Sequence, residues 1–233
     1  MIEYDMNDGK AAEIVVDGRR YRRKAIKTHF VCEGESLNRI VSTYALPCYR
    51  ENDFISVSEK IVSLCQGRVV RREQIVIGRW AKLLSRFASH PDTGVGVGEA
   101  IKMQYAIDTV GLPKVLWAAV ASAVTKPFGK RGVFYEIVGQ EVSGLDGFYD
   151  HVWPEYRDIG IELPSDPRGA CNEVRRELGI SSMIVDANDL GQEILGYSDD
   201  LEPLRDHLKE FIADNPAGQS RECTPIILMH LVS

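Results

Sequence analysis

The chain has 233 residues, 44% of them hydrophobic and 27% charged, which is enough for one large domain or two small ones with a sizeable core. A formal charge of −6 argues against a general nucleic-acid binder, because neutralising phosphates needs a clustered basic surface. Five scattered cysteines without a Cys-x-x-Cys pair suggest neither a disulfide framework nor a zinc knuckle and fit a reducing cytoplasm; the acidic start, and Val115–Val124 as the longest apolar-or-small run, lead us to expect neither export nor a membrane anchor.

Residues 13–26 read as a β-hairpin, since Asp17-Gly18 is a two-residue turn signal between extended arms, and residues 1–26 are taken as an N-terminal hairpin extension. The basic cluster Arg19, Arg20, Arg22, Arg23 and Lys24 reads as a solvated edge strand protected by charge, with phosphate contact as the alternative. Leu37, Ile40, Val41 and Tyr44 keep helical spacing behind Ser36 or Glu35 as a cap. Phe54, Ile55 and Val57 then make a short apolar strand whose carboxyl end carries Ser58-Glu59-Lys60, a hydroxyl, a carboxylate and an ammonium where open α/β sheets bind ligands. Ile61, Val62 and Leu64 or Cys65 predict a short helix, Gly67 its stop, and Arg68-Val69-Val70 a further strand. The plainer alternative is a strand, a turn and an exposed ion pair.

Trp80, Leu83, Leu84 and Phe87 predict a helix that His90-Pro91 ends, and the glycine run Asp92–Glu99 is a loop, its spacing being wrong for a dinucleotide fingerprint. Ile101–Val110 and Pro113–Thr125 read as two helices, the second apolar nearly all round and expected to be buried in the core or against another subunit. Gly132–Val138 reads as a strand, and Asp146, between Leu145 and Gly147, as a turn residue. Leu163–Pro167 opens a helix with Ala170, Val174 and Leu178 on one face and Gly179 as its end, followed by the strand Met183–Val185. At the tip of that strand, Asp186, Asn188 and Asp189 crowd three oxygen-bearing side chains together, a set that suits Mg²⁺ or Mn²⁺ better than zinc; a solvated turn is the alternative. Residues 199–213 predict an amphipathic helix with Leu201, Leu204, Leu208, Phe211 and Ile212 inward, and Thr224–Val232 a closing strand.

The run Ser58-Glu59-Lys60-Ile61-Val62-Ser63-Leu64-Cys65-Gln66-Gly67-Arg68-Val69-Val70 resembles the signature of the coenzyme F-420:L-glutamate ligase family, in which a hydrophobic strand leads into Thr/Ser-Gln-Lys-Ile-Val-Ser-Lys-x-x-Gly-Arg-Val-Val. Gly144-Leu145-Asp146 is similar to its Ala-Gly-Val-Asp motif, Leu163-Pro164-Ser165-Asp166-Pro167 to its Leu-Pro-x-Asp-Pro, and the 186–191 tip to its Asp-Thr-Phe-Gly, in the same order along the chain. The resemblance covers about Lys27 to Leu231 and implies a mixed α/β fold, a sheet with flanking helices of the γ-glutamyl ligase type over residues 27–233, assembled as a homodimer. It also implies an enzyme that uses GTP and a divalent metal to phosphorylate a small-molecule carboxylate, which an amine then converts to an amide. Carried over by position, Lys60 is the catalytic cation, Thr28, His29, Ser58, Glu59 and Lys60 lie at the nucleotide, and the metal ligands are Asp146, then Asn188 and Asp189 when Leu190-Gly191 is aligned with Phe-Gly or Asp186 when the strand is aligned, with Gln219 as a further metal or nucleotide contact.

The chain departs from the family at Leu64, where the family has a second lysine, at Glu59, where it has glutamine, and after Gly191, where Gln192-Glu193-Ile194 stands in place of Arg-Pro-Trp. Fewer cations and more carboxylates weaken the attraction for a polyanionic nucleotide. A divergent ligase is therefore expected, the alternative being a non-catalytic nucleotide- or metal-binding module of the same fold.

Overall fold

The computed structural model describes residues 6–88, 96–130, 132–148, 154–188, 191–218 and 221–232. In chain order the elements are β1 (Glu13–Val16), β2 (Arg19–Ile26), α1 (Leu37–Tyr44), β3 (Phe54–Ser58) and α2 (Glu59–Cys65); then β4 (Val69–Arg71), α3 (Arg79–Ser85), α4 (Ala100–Val110), α5 (Leu112–Thr125), α6 (Val133–Val138), α7 (Gln140–Ser143), β5 (Asp146–Gly147) and β6 (Ile159–Ile161); then α8 (Pro167–Leu178), β7 (Ser181–Asn188), β8 (Gly191–Tyr197), a long 3-10 helix over Asp199–Ile212, and β9 (Ile226–Leu231). This mixed α/β chain divides into two compact units, Met1–Arg68 with Pro164–Ser233, and Val69–Leu163.

The first unit is built on a six-stranded sheet of order β1-β2-β9-β3-β7-β8, in which β3 and β7 run parallel and every other neighbouring pair is antiparallel. Asp17 and Gly18 both take the left-handed backbone (φ 48° and 69°) that a tight hairpin turn demands, so β1 and β2 form as expected. The hairpin is not an extension, however. β2 pairs with β9 from Tyr21↔Leu231 to Ile26↔Ile226 and is thereby an interior strand.

That placement also corrects the reading of the basic cluster. Alternation along β2 turns Tyr21, Arg23 and Ala25 inward, and Arg23 is only 1% exposed. Its guanidinium donates to both Asp214 carboxylate oxygens at 2.6 Å, to Phe211 O at 3.0 Å and to Ala11 O, which satisfies a buried charge. On the same face the Phe211 ring meets Tyr21 and Phe54 edge-on at 4.7 and 4.9 Å, and Leu201, Leu208 and Ile212 complete the layer. The segment expected as an amphipathic α-helix thus buries the expected residues, but as a 3-10 helix with Pro203 inside it. α8 starts at its Asp166 cap, whose carboxylate accepts from Gly169 N–H, and ends at Gly179 in the left-handed region, as its sequence predicts.

The second unit packs α3 to α7 around Met103, Ala106, Val115, Ala118, Phe134, Val138 and Val142, with a small antiparallel sheet of order β4-β6-β5. Val133–Val138, expected as a strand, is the helix α6. Phe134, Val138 and Val142 are buried at a four-residue repeat, and Gly132 and Gly139, at φ 82° and 100°, bracket the helix, so tertiary packing overrides the β-propensity of the segment. Of the two expectations for α5, burial in this chain's own core holds fully only for Val115 and Ala118, while Trp117, Val120 and Val124 stay more than half exposed. Among the described residues no helix is long and apolar enough to cross a membrane.

Candidate functional site

Register defines which side chains share an edge of the large sheet. Ile26 lies opposite Ile226, Ile226 opposite Val57, and Val57 opposite Ile184, a single row across four strands. β2, β3 and β7 all leave that row in the same direction, and β9 enters it from there. The residues immediately beyond the row are Lys27 to His29, Ser58 to Lys60, Val185 and Asp186, and Thr224 with Pro225. Two backbone bonds hold this edge together, from Thr28 N–H to Cys223 O and from Ser58 N–H to Pro225 O, each 2.9 Å. The first-unit candidates Thr28, His29, Ser58, Glu59, Lys60 and Asp186 therefore belong to one edge, the carboxyl edge of the parallel pair.

Their individual settings differ. Thr28 is buried and its hydroxyl donates to His29 O at 2.8 Å, so it shapes the loop. His29 is held by Tyr44 Oη at its Nδ1 and by Glu35 Oε2 at its Nε2, both 2.8 Å. Glu35 also accepts from Cys32 N–H at 2.6 Å, and this bond first, then His29, lowers its pKa. The same loop bonds to α2 through Gly34 N–H and Leu64 O, and burial together with Glu35 pushes the Cys65 thiol up to about 12, leaving it a poor nucleophile. Ser58 precedes α2 without a capping bond from its side chain, and Ser58, Glu59 and Lys60 are each half-buried. Leu64, where the resembling family has a lysine, is 2% exposed.

Asp186 is not at a strand tip. β7 runs on to Asn188 and folds back as β8, a strand absent from the sequence reading, so Asp186 pairs with Glu193, Ala187 with Gln192 and Asn188 with Gly191. Directly opposite residues of a ladder share a face, which gives Asp186 and Glu193 a common side of the hairpin. Asp189 and Gln219, expected as metal ligands, lie outside the described residues, as does the side chain of Asn188. Asp146 belongs to the second unit, where it opens β5 and accepts from Gly147 N–H at 2.8 Å. Among the described residues, no three or more His, Cys, Asp and Glu side chains gather closely enough to hold a metal ion.

The opposite, amino edge holds groups that the sequence reading passed over. His230 Nδ1 lies 2.5 Å from Asp53 Oδ1, whose other oxygen accepts from Arg50 N–H at 2.9 Å, and Asp53 is 2% exposed. Tyr49 Oη donates to Asp53 O and accepts from Ser181 N–H at 3.0 Å, while Ser181 Oγ donates to Asp200 Oδ2, which pairs with Arg175. A cleft of about 480 Å³ opens beside this network, floored by Tyr21, Phe54, Leu204 and Leu231. The available signals were a histidine in an apolar strand and an aspartate just before one.

No family model matches the chain, and no curated protein is significantly similar to it.

Proposed function

We propose that the chain is a divergent relative of the coenzyme F-420:L-glutamate ligases, which binds a nucleotide, GTP in the first instance, at the carboxyl edge of the large sheet and joins an amine to a small-molecule carboxylate. The observation that supports this reading is the register, which gathers Thr28, His29, Ser58, Glu59, Lys60 and Asp186 at the edge where open α/β sheets bind ligands. Lys60 is the cation for the transferred phosphoryl group. In the reaction the substrate carboxylate takes the γ-phosphoryl group and releases the nucleoside diphosphate; the amine then attacks the acyl phosphate, phosphate leaves, and the nitrogen loses its proton.

For Mg²⁺ or Mn²⁺ the donor chemistry of the edge fits, since Asp186 and Glu193 offer hard carboxylate oxygens from one face of the β7–β8 hairpin. When bound, such an ion neutralises phosphate oxygens during transfer. The homodimer that the resemblance implies belongs to the same proposal and is read by sedimentation at micromolar concentration. A second reading, a binding module without turnover, is favoured by Leu64: its side chain is core, so the second cation of the resembling motif is gone. Calorimetric titration with GTP, ATP and Mn²⁺ tests the proposal. Saturable nucleotide binding that Lys60→Ala weakens at least tenfold is the expected result; no binding of either nucleotide sinks the ligase reading, and no binding of Mn²⁺ as well sinks both.

A further inference from the structure

The second unit carries a buried cation that the proposed chemistry does not use. Lys102 is on α4 and only 5% exposed, and its Nζ donates to Leu145 O at 2.7 Å and to Ser143 O at 3.4 Å. The ammonium lies 5.8 Å from the centre of the Tyr135 ring, whose π face attracts cations. Burial lowers the lysine's pKa to about 8, and the Asp146 carboxylate works the other way. The Leu145 and Ser143 carbonyls are oxygen donors of the kind that a divalent ion takes in proteins. Here an ammonium is already fixed on them.

We propose that Lys102 is the resident cation of the Asp146 turn, held on the Ser143 and Leu145 carbonyls beside the Asp146 carboxylate, so that this turn binds no divalent metal. The resemblance implies a metal ligand at Asp146; the surroundings of Asp146 fit an organic cation instead. A divalent ion brought to the same oxygens would face the ammonium at short range in a poorly solvated place, and the like charges would repel. The lysine side chain enters from α4, which packs into the unit's core through Met103 and Ala106, and it is enclosed there at 5% exposure. Lys102 is on this account a positioning residue for Asp146: it ties down the carbonyl immediately before it and balances its charge.

The test is a titration of the ¹⁵N-labelled full chain with Mn²⁺, whose unpaired electrons broaden the amide signals of nearby residues. The amides of Gly147, bonded to Asp146, and of Gly160, its partner across the ladder, are the reporters. In the wild-type chain both stay sharp at equimolar Mn²⁺, and Asp146→Asn leaves Mn²⁺ affinity unchanged, whereas loss of even a supporting group of a true metal site costs on the order of 10–100-fold. In Lys102→Met, which releases the two carbonyls and removes the ammonium, both amides broaden, and the charge-keeping Lys102→Arg leaves them sharp. Broadening in the wild type overturns the proposal, as does a folded Lys102→Met in which both amides stay sharp. The wild-type measurement needs no variant, so it decides even where Lys102→Met fails to fold. The inference is independent of the carboxyl edge: a wild type that binds Mn²⁺ near Asp186 alone supports both, and one that binds Mn²⁺ nowhere removes the metal from the functional reading while leaving the Asp146 turn as described.

Discussion

At the amino edge of the large sheet, Tyr49, Asp53, Ser181, Asp200 and His230 bond to one another across a loop, two strands and the start of the 3-10 helix, and Arg23 sits in the same row of the sheet with its guanidinium saturated. At the carboxyl edge, Ser58, Glu59 and Lys60 follow one another at the end of β3, Asp186 lies within the neighbouring β7, and all four are half-buried rather than enclosed. The first edge spends its polar groups on holding the unit together, since a buried donor or acceptor must be satisfied by the protein itself. The second leaves Lys60 and Asp186 only half-buried, so a ligand can approach them. A cleft alone is therefore a poor guide here: the 480 Å³ opening lies at the edge whose polar groups already serve one another.

If stability resides at the amino edge, the largest effect belongs to Arg23. Removing it takes the guanidinium from Asp214 and two carbonyls; because the Asp214 carboxylate is 37% exposed and keeps the Ala11 N–H, Arg23→Met is expected to cost about 3 kcal/mol in urea unfolding, the low end for a broken buried pair. The same pair makes stability depend on acid. Burial raises the Asp214 pKa, but the bonds from Arg23 and Ala11 N–H outweigh it and hold the carboxyl below its usual range. A depressed folded-state pKa gives stability that is fully present above the unfolded value of about 3.9 and is lost as pH falls below it. Urea midpoints between pH 5 and pH 3 should therefore drop more in wild type than in Arg23→Met; equal slopes would detach Asp214 from the clamp.

Next comes Asp53→Ala, which strands His230 and Arg50 N–H. Because the His230 ring is 29% exposed and water can serve it in part, a loss of about 2–3 kcal/mol is expected rather than the full cost of a buried pair. A change below about 0.5 kcal/mol, the level of an ordinary surface substitution, would break the contrast between the two edges.

Local signals made part of this architecture legible. Asp17-Gly18 announced its turn, Asp166 and Gly179 the two ends of α8, and Phe54 to Val57 a strand, because each is dictated within a few residues. β8 was illegible for a physical reason: the register shifts between Ile184 and Val185, so that Gly196 and Ile194 face them and Leu195 is left over, which breaks the period-two pattern. α6 was misread because its valine, isoleucine and aromatic residues favour strands, and only the packing of Phe134, Val138 and Val142 makes it helical. The amino-edge network could not be read at all, since Asp53 and His230 are 177 positions apart and neither residue marks the other. At the carboxyl edge the candidates were readable one by one, yet Glu193 was found only through the ladder that sets it opposite Asp186.

A smaller effect is expected where the carboxyl end of α2 is tied down. Gln66 Nε2 donates to Ser165 O at 2.9 Å while its Oε1 accepts from Ser165 N–H at 2.8 Å, a reciprocal pair on an exposed side chain. Gln66→Ala should cost about 1 kcal/mol, as a pair of solvent-accessible bonds does. Urea unfolding measures it, and a cost as large as that of Asp53→Ala would move the stability toward the carboxyl edge.

Lys60→Ala is expected to have the smallest effect on stability and the largest on binding, which makes it the sharpest test of the difference between the edges. Its side chain is half-buried at the start of a short helix, where an ammonium adds little to the fold: the helix dipole disfavours a cation in the first turn, and partly exposed ion pairs contribute at most about 1 kcal/mol. Its position follows from β3, whose bonds to β7 and β9 are backbone bonds that the substitution leaves intact. Lys60 is thus set in place by a rigid strand while its own charge contributes little to the stability of that strand. Unfolding free energy should therefore change by less than about 1 kcal/mol, while nucleotide affinity falls by at least about tenfold, the loss of one charge-assisted contact to phosphate. If Lys60→Ala instead unfolds the chain as Asp53→Ala does, Lys60 is a structural cation like Arg23, and the carboxyl edge loses its claim to the phosphoryl group.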